Sequence, residues 1–360
     1  MISSKKWLLI FLCAFCFLAG FFLILAHDLD PFIQYHYDDN KRFWGNSIYL
    51  NPGIARNYPY DVVIIGSSMA QNFDMDFFRK KTGMAPVKLV LPGITVNEIL
   101  QLYDMIVRVG RAQKIFMIID LSQFNREYDY GTPSDRLPQY LYNDFFYDDY
   151  KYLLGYDIWL RFIPINLGIK LLFHGGARFP AKLEDRLNLD KIGDWSKDYV
   201  FSKQVVINNY RSGLFSTTKE EVIGAESRMK SNIDCFLKHV FSSNRKVEIV
   251  FAFPPYSALY WYEVKKEGLF DAYMNAKAFF VERCLSTGTR VADIQVVDEI
   301  ADLDHYKDTT HYDTNIQAIL ARVMLSGEAD LDADSSERQR NRLDDLVTRF
   351  AQDNAYWLLE

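Results

Sequence analysis

DVVIIGSSMAQNF, residues 61–73, is an apolar run that stops at a glycine and two serines. Val62-Val63-Ile64-Ile65 shows no alternation of polar and apolar side chains, the pattern of a parallel strand covered on both faces. A tight turn at the carboxyl end of such a strand is where open α/β sheets place their chemistry. Gly66-Ser67-Ser68 therefore reads either as the seat of a nucleophilic serine or as a plain turn.

The same alternation continues downstream. A short helix around Asp74–Lys81 is ended by Gly83. A second strand, VKLVLP (87–92), runs into Gly93, and TVNEILQLYDMIVRVG (95–110) opens with Thr95 and Glu98 at capping-box spacing. A third strand, KIFMIID (114–120), stops at Asp120. Three strands joined by short crossovers imply a mostly parallel sheet between helical layers, an α/β three-layer sandwich. From 126 to about 240 the pattern loosens into an insertion or lid. Its segment 140–173 reads as aromatic-rich helices broken near Pro164, with contact to a membrane surface as a second reading. Regular alternation returns with a helix at 226–242, a strand at 246–253, a helix at 268–285 and a strand at 290–295. A final helix opens at Thr314, where Thr314 and Gln317 stand at capping-box spacing. Residues 326–360 read as a charged linker and an amphipathic helix whose stripe is Leu343, Leu346, Val347 and Phe350. Such a stripe packs on the domain surface or binds a partner.

Composition sets limits on function. The 360 residues are 49% hydrophobic and 24% charged, as in a globular protein. A net charge of −6 argues against a nucleic-acid partner, which calls for a basic face. Trp7–Ala26 is an uncharged run of 20 residues; as a helix it reaches ~30 Å, enough to cross the hydrocarbon core. Lys5 and Lys6 precede it, and His27, Asp28 and Asp30 follow. The positive-inside rule then makes 1–6 a cytoplasmic tip and 7–26 a signal-anchor. A stalk (27–60) and the α/β domain (61–325) follow on the extracytoplasmic side. A cleaved secretory signal is the alternative, and it too exports the rest of the chain. Cys13 and Cys16 fall in the apolar run. Cys235 and Cys284 sit on expected helices as two buried thiols, or as a disulfide in an oxidising compartment.

A nucleophilic serine needs a base, and the base needs an orienting group. Of the six histidines, His311 stands out in YKDTTHYDTNIQAILARVM (306–324), because Asp308 lies three residues before it and can reach its ring. The pair precedes a helix expected to dock on the sheet. A metal reading of LDHYKDTTH (303–311) through Asp304 and His305 lacks a third ligand cluster, so neither metal nor cofactor is expected.

Gly66-Ser67-Ser68 after the first strand, Gly93 after the second and Asp308-Thr309-Thr310-His311 near the C-terminus resemble the SGNH/GDSL hydrolase superfamily over roughly residues 60–325. Within it the chain is most similar to the membrane-anchored extracytoplasmic branch, which includes proteins of teichoic acid D-alanylation and alginate O-acetylation. The resemblance implies a flavodoxin-like fold, with Ser68 as nucleophile, His311 as base and Asp308 as its partner. The amides of Ser68 and Gly93 would bind the oxyanion. Two departures stand out. Ser67 replaces the usual acid of the first block, and Ser67 is also the local rival nucleophile. DLSQFN (120–125) stands where the third block, Gly-x-Asn-Asp, is expected. Gln123 then becomes the third oxyanion donor, with Asn125 as the alternative donor and a substrate contact. FAFPPYSALYWYEV (251–264) offers Tyr256 and Trp261 to stack on sugar rings, or else is a rigid proline turn with packed aromatics.

The function expected from the resemblance is that of an extracytoplasmic serine esterase or acyltransferase. It would act on O-acetyl-like esters of an envelope or secreted polysaccharide. The alternative is a non-catalytic accessory protein that binds the polysaccharide or a membrane-bound O-acyltransferase.

Overall fold

Val62–Gly66 (β1), Pro86–Val90 (β2), Lys114–Ile118 (β3), Glu248–Phe253 (β4) and Arg290–Asp293 (β5) form one sheet in the order β2-β1-β3-β4-β5. All four pairings are parallel. The computed structural model describes residues 3–37, 45–176, 178–191, 193–213, 222–243, 247–332 and 334–358. Part of the expected stalk (38–44) and part of the expected insertion (214–221) lie outside the described residues.

The chain divides into two compact units. One joins residues 1–58 to 134–189, and the other joins 59–133 to 190–360 and contains the sheet. The excursion that groups with the N-terminal segment is thus 134–189, shorter than the insertion expected over 126–240, because 190–213 and 222–243 pack with the sheet.

In the sheet unit the register aligns Gly66 with Val90 and Ile65 with Met117, so the loops after β1, β2 and β3 emerge at one end. β1 is buried at every residue, as an unbroken apolar run requires. The helices form two mutually contacting groups. Val96–Val109 meets Ala225–Ser242, which meets Phe270–Leu285, while Met75–Thr82 meets Thr314–Ser326. Thr95 and Glu98 close a reciprocal capping box, and Gly110, at φ 73°, ends that helix in the left-handed region. The last helix of the α/β set is capped differently from the reading above. Its N-cap is Asp313, whose carboxylate accepts from the amides of Asn315 and Ile316, which leaves Thr314 as the first helical residue. Ser335–Asp353 buries Leu343, Leu346, Val347 and Phe350 against Ala258–Lys266 and Phe270–Leu285. Cys284 is buried and Cys235 exposed, both as free thiols.

In the other unit, Ser4–Leu29 is one apolar helix long enough to cross a membrane. Asp30 closes its end by accepting from the amides of Gln34, Tyr35 and His36. The aromatic segment forms short helical pieces, a π-turn at Ile158–Phe162 and a helix at Ile163–His174 that continues it; the expected break near Pro164 is absent, and the widened turn just before the proline accommodates its ring and missing N–H.

Candidate active site

Gly66 ends β1 where there is no room for a side chain. A Cβ there would stand 2.8 Å from the Ala70 Cβ and 3.0 Å from the Ile118 Cβ. The chain turns at once. Ser67 caps the 3₁₀ turn Ser68–Ala70, its hydroxyl oxygen accepting from the Met69 amide at 3.2 Å. Capping uses up Ser67, which is buried, while Ser68 stays partly open at the turn.

The Ser68 hydroxyl lies 2.8 Å from His311 Nε2. On the other side of the ring, Nδ1 lies 2.8 Å from Asp308 Oδ2 and 3.0 Å from Oδ1. A carboxylate can only accept here, so the proton sits on Nδ1, and Nε2 faces the serine as an acceptor. Asp308 is 1% exposed, and its Oδ1 also accepts from the amides of His311 (2.8 Å) and Thr310 (2.9 Å). Burial pushes its carboxyl up, but these hydrogen bonds and the imidazole outweigh burial and hold it below the usual carboxylate value.

A tight loop carries this pair. Lys307 N donates to His311 O at 3.1 Å, and Tyr306 and Tyr312 bridge across the loop. Three bonds pin it to the sheet unit. Ser257 Oγ donates to Thr309 O (2.6 Å), Tyr306 Oη to Pro255 O (2.8 Å) and Tyr312 Oη to Met69 O (3.1 Å). The last of these ties the histidine loop directly to the turn that bears Ser68.

The residues read as oxyanion donors occupy the same end. Leu91 N donates to Gly66 O at 3.1 Å, so the turn bearing Gly93 adjoins the turn bearing Ser68. Gly93 has φ 61°, a conformation costly for any residue with a Cβ. Gln123 lies on the 3₁₀ turn Leu121–Asn125 after β3; its Oε1 accepts from Tyr128 Oη at 3.3 Å, and its Nε2 has no acceptor among the described residues. Asn125 is placed otherwise. It is buried, and its Oδ1 accepts from Arg228 Nη2 (2.7 Å) and Nε (3.2 Å), which commits that side chain to anchoring the helix Ala225–Ser242. The substrate contact read for Asn125 thus falls on a buried residue whose Oδ1 is held within the fold.

Tyr256 and Trp261 do not form a platform for a sugar. Trp261 is 0% exposed and packs edge-on against Tyr260, Phe270 and Tyr273. Tyr256 is buried, with its hydroxyl donated to Asp120. Proline-bounded aromatics at the end of a central strand were drawn into the core, where each ring buries far more apolar area than it would at a rim. Of the residues weighed as metal ligands, His305 has its Nδ1 2.9 Å from Asp313 Oδ2, the helix cap. Among the described residues no group of three or more His, Cys, Asp or Glu is placed to hold an ion.

Three residues near the triad carry no motif. Asp120, at the end of β3, receives hydrogen bonds from Ser67 and Tyr256; burial pushes its carboxyl above the ordinary range, opposed by those bonds and by His311. Trp195 sets its ring edge against His311 (5.3 Å between centroids, 84° between planes) and donates Nε1 to Ser68 O at 3.3 Å. Lys307 Nζ lies over the rings of Tyr199 (3.7 Å) and Trp195 (4.4 Å). Asp120 was visible as the acid that ends an apolar strand. Trp195 had no such signal, because it approaches from a loop more than a hundred residues away. No protein-family model matches the chain, and no curated protein matches it in sequence.

Proposed function

We propose that this chain is a serine-dependent ester hydrolase or acyltransferase of the SGNH type. The observation that carries the reading is the relay in which Ser68 Oγ lies 2.8 Å from His311 Nε2 while His311 Nδ1 lies 2.8 Å from Asp308. Ser68 attacks an acyl carbonyl as its proton passes to Nε2, and the charge left on oxygen is met by the amides of Ser68 and Gly93 and by Gln123 Nε2. Collapse expels the alcohol, which takes the proton from Nε2, and the acyl group stays on Ser68. Water or a second hydroxyl then repeats the sequence in reverse, giving hydrolysis or transfer. The strand order 2-1-3-4-5, with Ser68 at the β1/β3 switch point, supports the flavodoxin-like, three-layer form of that fold.

The proposed setting is extracytoplasmic and membrane-bound, through the helix Ser4–Leu29, with O-acyl esters of an envelope or secreted polysaccharide as substrate. The test is direct. The purified full chain should turn over small acetyl esters and take up a fluorophosphonate on Ser68, mapped by mass spectrometry of the labelled peptide. Absence of both turnover and label would favour the accessory-protein reading, in which the chain binds polysaccharide or a membrane-bound O-acyltransferase without doing chemistry.

A further inference from the structure

Outside the N-terminal helix, large exposed apolar side chains concentrate in one stretch of the N-terminal unit. Phe146 is 84% exposed and Tyr156 76%, and Tyr147, Leu160, Leu171 and Leu172 are exposed as well. Other exposed apolar side chains in the described residues are few and scattered, as on ordinary protein surfaces.

The helix Ile163–His174 explains why this stretch is unusual. Its inner side is already used, since Phe162 and Ile163 are buried and the Phe162 ring packs on Phe32 at 4.6 Å. Its other side carries Ile165, Leu167, Leu171 and Leu172. A helix apolar on all sides belongs inside a protein or in lipid, not at a water interface. From 158 to 172 the only charged residues are Arg161 and Lys170, both cations. The π-turn Ile158–Phe162 runs without a break into this helix, and one buried side with an exposed apolar side suits the run to lying within the membrane boundary.

Its neighbour names the occupant. The Trp159 ring stands edge-on to Phe22 of the apolar N-terminal helix, with centroids 4.9 Å apart, and the helices Tyr150–Leu153 and Ile163–His174 both contact Ser4–Leu29. Tyr152 locks the two together, its hydroxyl donating to Asp30 Oδ1 at 3.0 Å and accepting from Phe32 N at 3.2 Å. Phe22 precedes His27 by five residues, so Trp159 sits on the order of 7 Å below the polar end of that helix. That is the depth at which interfacial helices lie. We propose that residues 145–172 form an interfacial shelf embedded in the leaflet around the C-terminal half of the N-terminal helix, with lipid acyl chains covering its exposed aromatic and aliphatic side chains.

The inference rests on the reading of Ser4–Leu29 as a membrane anchor, and the experiment separates the two. The full chain, with Cys13, Cys16 and Cys235 changed to serine and buried Cys284 kept, is given single cysteines by Phe146→Cys, Leu160→Cys or Leu171→Cys. Phe17→Cys reports on the anchor and Glu282→Cys on water. Each variant is labelled with an environment-sensitive nitrobenzoxadiazole dye in phosphatidylethanolamine/phosphatidylglycerol nanodiscs, with nitroxides placed shallow or deep on the acyl chains. The three shelf labels should emit to the blue of the Glu282 label and lose about half their intensity or more to the shallow nitroxide, less to the deep one, as expected ~5–10 Å below the headgroups. Quenching at position 17 with water-like, unquenched shelf labels would overturn the shelf and leave the anchor standing. No quenching at either would overturn both. Blue-shifted shelf labels that ignore both nitroxides would identify a second copy of the chain as the cover and overturn lipid as the occupant.

Discussion

In the proposed mechanism the hydroxyl of Ser68 becomes a useful nucleophile only when Nε2 of His311 takes its proton, and Nε2 is free to do so only while Asp308 holds the other ring proton. Groups coupled in this way act as one unit. Ser68→Ala and His311→Ala should each lower turnover of an acetyl ester by ~10⁴–10⁶-fold, and the double variant should be little worse than either. Ser67→Ala should cost far less, because Ser67 caps the turn instead of facing the histidine; steady-state kinetics on the four proteins decides this. A second pair of variants tests the oxyanion site. Gln123→Ala should slow turnover by ~10²–10³-fold without loss of fold, the usual effect of removing one donor. Asn125→Ala should instead lower the unfolding free energy by ~1–3 kcal/mol, because it removes the side-chain oxygen that accepts from Arg228 Nη2 and Nε. Urea melts beside kinetics separate the two outcomes. The donors at 123 and 125 could not be told apart by spacing alone, since both follow β3 on one short turn. The distinction came from Arg228, a residue 103 positions further along the chain from Asn125.

Strand β2 shows how an element can carry a residue against its own rule. It is buried throughout, yet Lys88 lies at its centre with Nζ donating to Gln71 O at 2.6 Å. Burial pulls its ammonium down from 10.5 to about 8, although Asp194, Asp190 and Asp74 pull the other way. Below pH 8 both folded and unfolded chains hold the proton, and the folded state bears the full cost of a buried charge. Between pH 8 and 10.5 the unfolded chain binds the extra proton, so this residue's contribution to stability rises with pH. A neutral amine still donates to Gln71, which keeps that bond intact. Relative to Lys88→Met, the native protein should gain about 3 kcal/mol between pH 7 and 11, from a shift of that size at 1.36 kcal/mol per pH unit. Denaturant melts of both proteins across that range check it, and a parallel pH dependence in the two would refute it. The difference between the two proteins cancels the other groups that titrate in the same range.

At the scale of the whole molecule, the two units meet different demands. The sheet unit holds the triad, the oxyanion candidates and Trp195, and the unit of residues 1–58 and 134–189 holds the apolar helix and the exposed aromatic stretch. The charges flanking the uncharged run 7–26 of that helix, Lys5 and Lys6 before it and Asp28 and Asp30 after it, predict its orientation. A phosphatase reporter fused at the C-terminus, active only when exported, should be active, whereas a reporter that works only in the cytoplasm should be silent. The reverse pattern would turn the topology around.

What the sequence determined by itself is local and periodic. The unbroken apolar runs of β1 and β3, the Thr95–Glu98 capping box, the glycine stops and the uncharged N-terminal run were legible because each is set by neighbours within a turn or two. The spacing of Asp308 and His311 was legible for the same reason. What only the tertiary structure decided is which distant groups meet. Tyr256 went inward because its hydroxyl meets Asp120 at the end of β3, and Trp261, on the helix Ala258–Lys266, because it meets Phe270 and Tyr273 of a later helix. Residues 134–189 joined the N-terminal helix because Tyr152 finds Asp30, 122 positions earlier. Trp195 reached Ser68 across 127 residues. Such pairings depend on how sheet and helices fold back on one another, and no short-range pattern in the chain records them.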